Sequence, residues 1–194
     1  GYNDLEIIIV DDASEEDQRI DKIHKDFDLN LRIFRVEKEN KWWINPCIPF
    51  NIGFKKATGD VIILQNPECL HNGDIVKSVE ENIEENRYLV MGCYSVDNNI
   101  TQKITEGVDV NEMIHPTLNR GIHYDGETAW YQHSIHRPHN LHFTSAMMKS
   151  DLDKLGGFDE KYANASYGKI ITGFEFMFFL IVCFVMSFLK PPYN

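Results

Sequence analysis

The sequence predicts an α/β domain with a mainly parallel central sheet flanked by helices, incomplete at its N-terminus. Three observations carry this. Short apolar runs end abruptly on polar residues, amphipathic helical patterns lie between them, and the two alternate at intervals of roughly 30 residues, as βαβ units do. The 194 residues suffice for one domain with a real core, and 43% hydrophobic with 25% charged residues is ordinary globular composition.

Residues 5–10 (Leu-Glu-Ile-Ile-Ile-Val) form a β-prone run ending on Asp11-Asp12. Ser14 then reads as a helix N-cap, with Glu15, Glu16 and Asp17 suited to the helix dipole and Ile20, Ile23 and Phe27 at helical spacing. A second strand fits residues 31–36. A helix fits 51–58, its start blurred by Pro46 and Pro49. Residues 61–64 (Val-Ile-Ile-Leu), behind a Gly-Asp turn signal, read as a strand buried on both faces. Gln65-Asn66-Pro67-Glu68 follows, where the proline cannot continue the ladder. In open α/β sheets that end of the strands is where ligands bind. Asn66 and Glu68 there suit a hard cation that shares phosphate oxygens, and a plain polar loop is the alternative.

A helix is predicted for residues 74–86, with Ile75, Val76, Val79 and Ile83 on one face and glutamates on the other. Strands are expected at 88–93 and 143–148. Because the chain starts directly on a buried strand, an earlier βα unit is expected to precede it.

Between these last strands, Trp130, Tyr131, His133, His136, Arg137, His139 and His142 crowd one stretch. A repeat of three does not hold one helix face, and Pro138 interrupts it, which disfavours zinc. Flat rings beside Arg and His suit a sugar-binding surface, and a partly buried aromatic loop suits the residues equally. Gly156-Gly157 permits positive φ or close backbone approach, and Asp159 and Glu160 follow at the turn's exit.

Residues 170–189 carry one charge, Glu175. Their length is marginal for a bilayer span. A membrane anchor, a buried helix and a stretch foreign to the domain, such as an out-of-frame tail, all fit. The domain is accordingly placed at 1–168 and the apolar segment at 169–194.

The net charge of −11 argues against nucleic acid as a partner, since such binding wants a basic face. Four cysteines without a C-x-x-C pair suggest free thiols in a reducing compartment, and the first residues show neither a charged n-region nor an apolar h-region, so a signal peptide is not expected. A cytoplasmic protein, membrane-associated if 170–189 anchors it, is the expectation.

Taken together the motifs resemble the family-2 inverting glycosyltransferases of GT-A fold. Asp11-Asp12-Ala13-Ser14 is similar to the family's Asp-Asp-x-Ser. Asn51-Ile52-Gly53 is similar to its Asn-x-Gly helix, Ala57-Thr58-Gly59-Asp60 to its Ala-x-Gly-Asp turn, and Gly156-Gly157-Phe158-Asp159-Glu160 to its Gly-Gly-Phe-Asp-Glu loop. The resemblance implies a nucleotide-diphosphate-sugar donor, a glycan or other hydroxyl acceptor, and a divalent metal, Mg²⁺ or Mn²⁺. It implies donor binding by Asp11, Asp12, Ser14, Asn51, Gly53 and Asn66. The family's Asp-x-Asp metal motif falls on Asn66-Pro67-Glu68, leaving Glu68 as the charged ligand and Asn66 a neutral one. Asp159 and Glu160 are the implied catalytic acids, facing donor sugar and acceptor, with Trp130, His133 and His142 on the acceptor side. The acidic pair that bears the family's base is expected near Tyr167-Gly168, where Lys169-Ile170-Ile171-Thr172 stands, with Glu175 the nearest acid. A non-catalytic nucleotide- or carbohydrate-binding module is the alternative function.

Overall fold

The computed structural model describes residues 4–22, 30–113, 129–165 and 182–188. The first strand, β1 (Glu6–Asp11), pairs in parallel with β2 (Leu31–Arg35). Helix α1 (Cys47–Lys56) leads to β3 (Val61–Gln65), and α2 (Ile75–Asn82) to the short β4 (Leu89–Val90) and β5 (Cys93–Ser95). Helices α3 (Asn98–Thr105) and α4 (Val110–Met113) precede β6 (Ala129–Gln132). The chain then forms β7 (Thr144–Met148), α5 (Lys149–Leu155) and β8 (Val182–Phe188).

The main sheet has six strands in the order β2-β1-β8-β3-β7-β4, and β5 with β6 forms a two-stranded second sheet. The α/β class is as expected, but the mainly parallel sheet is not. Among the described pairings of the main sheet only β1–β2 is parallel, because β7 returns antiparallel to β3 and β4, and β8 runs antiparallel to both β1 and β3. Part of the apolar segment thus lies as a strand in the middle of the sheet. A central strand can be as uniformly apolar as a buried helix or a bilayer span, so composition alone could not separate them. Among the described residues no helix is long and apolar enough to cross a membrane.

Strand alternation loads both faces. Ile8, Val10, Ile62 and Leu64 meet Phe50, Phe54 and Ala57 of α1 and Leu152 of α5. Val61 and Ile63 point the other way, onto Val76, Val79 and Ile83 of the α2 segment. Each fully buried aliphatic side chain here contributes roughly 1.5–3 kcal/mol. Helix α1 starts earlier than the sequence suggests. Pro46 at the N-cap has its φ preset, Asn45 Oδ1 accepts from the Cys47 N–H (3.0 Å), and Pro49 falls in the first turn, where no N–H is missed. Asp74 caps α2 by accepting from the Lys77 N–H at 2.9 Å.

The predicted helix after Ser14 is instead two short 3-10 turns, 16–18 and 20–22. Ser14 is not its cap: its N–H donates to Asp11 Oδ1 (2.8 Å). Ile23 and Phe27 lie outside the described residues, as do Tyr167, Gly168, Glu175 and 169–181. The single strand expected at 88–93 is split between the two sheets.

Candidate active site

Both acidic corners, Asp11-Asp12 and Asn66-Pro67-Glu68, leave the sheet at the same end. Asp11 pairs with Val182 and Gln65 with Phe184, two residues apart on β8. Strand β8 separates them, so β1 and β3 are not neighbours, and the corners lie roughly 10 Å apart, two inter-strand spacings.

The β1 corner is closed. Asp11 and Asp12 are only 1% and 3% exposed. Asp11 accepts from the Ser14 N–H and from Arg35 Nη1 of β2 (2.7 Å). Asp12 accepts from Trp43 Nε1 and from Lys41 Nζ, both at 2.8 Å. Burial pushes the Asp12 carboxyl up, against the lowering pull of Lys41 and Trp43. Arg35, Lys41 and Trp43 were not singled out in the sequence. Their only signal is a basic, tryptophan-bearing stretch within reach of two acids.

The β3 corner is open. Asn66 is held by its N–H on the Phe143 carbonyl (2.8 Å), and its Nδ2 donates to Glu68 Oε1 (2.9 Å) on an exposed side chain. Among the described residues no group of three or more His, Cys, Asp or Glu could hold a metal. The donor set here, one carboxylate and one amide oxygen, is all hard oxygen at an exposed turn. It fits a Mg²⁺ or Mn²⁺ ion that takes its other ligands from phosphate and water.

An aromatic cluster packs on α1. His142 lies edge-on to Phe50 (6.0 Å) and Phe158 (5.5 Å), and burial lowers its pKa while the Glu68 charge opposes this. Asn51, on α1 and 5% exposed, clamps the following loop: Nδ2 donates to the Phe158 carbonyl (2.9 Å) and to Glu160 Oε1 (3.0 Å), and Oδ1 accepts from the Phe158 N–H (2.8 Å). Gly156 and Gly157 both have positive φ, and a Cβ on Gly157 would stand 2.5 Å from Asn51 Oδ1. Only glycine gives that approach. Asp159 accepts from the Lys161 N–H (3.0 Å), and both Asp159 and Glu160 are exposed. The loop returns to the β1 side, where Trp43, Cys47 and Ile48 pack on Ala163 and Phe158.

The structure therefore gathers Asp11, Asp12, Ser14, Asn51, Asn66, Glu68, His142, Asp159 and Glu160 at one end of the sheet, with Gly53 buried inside α1. Trp130 and His133 belong to a separate ring cluster on the second sheet, with centroids 4.2 Å apart and His136 stacked on His133 at 4.5 Å. Gln132, 1% exposed, ties that sheet back by donating to the Met91 carbonyl and accepting from the Leu141 N–H.

Both corners lie at the carboxyl ends of their strands, the edge at which open α/β sheets bind ligands. The model of glycosyl transferase family 2 matches residues 1–156, and the chain belongs to that family. The family transfers glycosyl groups from nucleotide sugars. No curated protein and no solved structure matches the chain.

Proposed function

We propose that the chain transfers a sugar from a nucleotide-diphosphate donor to a hydroxyl of a glycan or other acceptor, with inversion at the anomeric carbon. The observation that carries this reading is the shared rim. One closed acidic corner, one open one and the Asn51-clamped acidic loop all face the same end of the sheet in a family-2 chain.

In this reading the β1 corner, with Ser14 beside it, meets the base and ribose through the donors that Asp11 and Asp12 hold. Asn66 and Glu68 would meet the diphosphate and would hold the divalent ion. When bound, that ion supplies neutralisation of the charge on the departing diphosphate. Asn51, in the same helix as Gly53, fixes the loop. Asp159 or Glu160 accepts the proton of the acceptor hydroxyl as it attacks. His142, with Trp130 and His133 further out, offers rings and polar edges to the acceptor.

The single carboxylate at the β3 corner favours a second reading, a module that binds the donor without turning it over. One set of measurements separates the two. Calorimetric titration with uridine and guanosine diphosphates, with and without Mn²⁺, is expected to show metal-dependent binding that Glu68→Ala removes. Transfer from labelled donors, with the product anomer assigned by NMR, then decides for the enzyme. Binding with no sugar release from any donor leaves the module, and absence of diphosphate binding overturns both.

A further inference from the structure

Arg137 is a cation that the fold pins in place and leaves without a counter-charge. Its backbone is bridged to His133: the His133 N–H donates to the Arg137 carbonyl (2.7 Å), and the Arg137 N–H to the His133 carbonyl (3.1 Å). His133 Nδ1 closes the turn between them by accepting from the Ile135 and His136 N–H groups at 3.1 and 3.2 Å. The Arg137 guanidinium lies over the Tyr131 ring, 5.2 Å from its centroid, and Tyr131 meets Phe143 edge-on at 4.8 Å. Phe143 is the residue whose carbonyl holds the Asn66 N–H, so this chain of contacts joins the guanidinium to the open corner.

Arg19, Arg32, Arg35 and Arg87 each form an ion pair. Arg137 forms none among the described residues, and its Nη1 is buried without a hydrogen-bond partner. The Tyr131 face stabilises the charge but accepts none of the in-plane N–H bonds of the fork. With 30 acidic against 19 basic residues in the chain, a protein carboxylate is not scarce. Buried donors without a partner are rare and costly, most of all on a charged group. The other such side-chain atom among the described residues is Nε2 of His71, on the turn that follows Glu68. Both are nitrogens of basic side chains, and both side chains are only partly buried. An oxyanion is what such nitrogens bind.

We propose that Arg137 recognises an anionic group on the acceptor, which is an acidic sugar carrying a carboxylate or a phosphate ester. The planar fork takes either group through two parallel N–H···O bonds. Arg137 stands on the His133 side, with the rings that the transfer reading gives to the acceptor, whereas the donor's diphosphate has the corner at Glu68. In a chain of net charge −11 an anionic acceptor is repelled unless a fixed cation meets it. The acceptor role rests on the sugar-transfer reading, and the anion site itself does not.

The test is an NMR titration of the full chain with glucose, glucuronate and glucose 6-phosphate, beside a calorimetric titration with uridine diphosphate and Mn²⁺. The wild type is expected to bind one of the two acidic sugars at least about tenfold more tightly than glucose, and the preferred one names the anionic group. Arg137→Gln is expected to remove that preference while leaving glucose and uridine diphosphate binding unchanged. Arg137→Lys keeps the charge without the fork and is expected to recover part of the preference. Equal binding of the three sugars by the wild type would overturn the assignment, as would a preference that persists in Arg137→Gln. So would a loss in that variant that extends to glucose and uridine diphosphate alike, which marks a structural role, or a loss of uridine diphosphate binding alone, which hands Arg137 to the donor. A wild type that prefers acidic sugars through Arg137 yet binds no uridine diphosphate would keep the anion site and remove the transfer reading.

Discussion

The two acidic corners look alike in sequence: an apolar strand, then two acid-like side chains. In space they are opposites. The Asp11-Asp12 corner is sealed, and each of its carboxylate oxygens receives a donor from β2, from the 41–43 segment or from its own turn. The Asn66–Glu68 corner is exposed, and its one internal side-chain bond joins its own two residues. A buried carboxylate with fixed partners is bound to the scaffold, whereas an exposed one beside an amide is available to a ligand. The difference lies in what the neighbouring segments deliver, since β2 brings Arg35 to the first corner and the residue before β7 brings the Phe143 carbonyl to the second.

That contrast is most directly broken by exchanging the acids for alanine. Asp12→Ala strands the Trp43 N–H and leaves Lys41, whose side chain is 24% exposed, without its counter-charge. Removing one partner of a buried ion pair costs about 3–5 kcal/mol, and the partial exposure of Lys41 reduces this to about 2–4 kcal/mol. Asp12→Asn keeps an acceptor for Trp43 and is expected to cost about 1–2 kcal/mol. Glu68→Ala is expected to stay within about 0.5 kcal/mol of the wild type while removing metal-dependent diphosphate binding. Urea unfolding of the three variants measures this. Equal losses at positions 12 and 68 would erase the distinction between the corners.

Much of the fold was legible because local pattern and tertiary role agree. Strands β1 and β3 are apolar runs punctuated by polar residues, and α2 carries its own cap at Asp74. What escaped the sequence was set by partners far along the chain. The contacts of Asn51 with Phe158 and Glu160, more than a hundred residues on, have no local signal. Strand β8 escaped because a run of apolar residues does not say which conformation it takes. Asp11 and Asp12 were legible as acids at the end of a strand and illegible as a closed pair, since Arg35, Lys41 and Trp43 arrive through the fold.

The clamp supplies the next test, because it links the sealed side to the loop acids. Asn51→Ala leaves the Phe158 N–H without its acceptor, and a loss of about 1–3 kcal/mol is expected. Gly157→Ala forces a side chain into positive φ and against Asn51 Oδ1, with a similar expected loss of about 1–3 kcal/mol. The two act at one contact, so the double variant should fall clearly short of the sum in a double-mutant cycle. Additive losses would mean that the loop is held elsewhere.

The smallest effect probes how far the open corner's charge reaches. Burial holds the His142 pKa below its ordinary value of 6.5, with Glu68 pulling it back up. A histidine depressed in the folded state stays neutral while the unfolded chain takes up a proton. Its contribution to stability is therefore complete above pH 6.5 and is lost as the pH falls from there through the folded-state pKa. His142→Phe keeps an aromatic ring against Phe50 and Phe158 and removes the proton site. Its urea midpoint is expected to fall less than that of the wild type between pH 7 and pH 5. Glu68→Gln removes the charge that supports protonation of His142, so the acid-side loss should steepen. Asp12→Asn removes a carboxyl that burial itself raises, so it steepens the acid-side loss on its own account, and it should do so equally with and without His142. A position-12 effect that vanishes in the His142→Phe background, with none from position 68, would place His142 in the field of the closed corner, and the distinction between the two corners would fail.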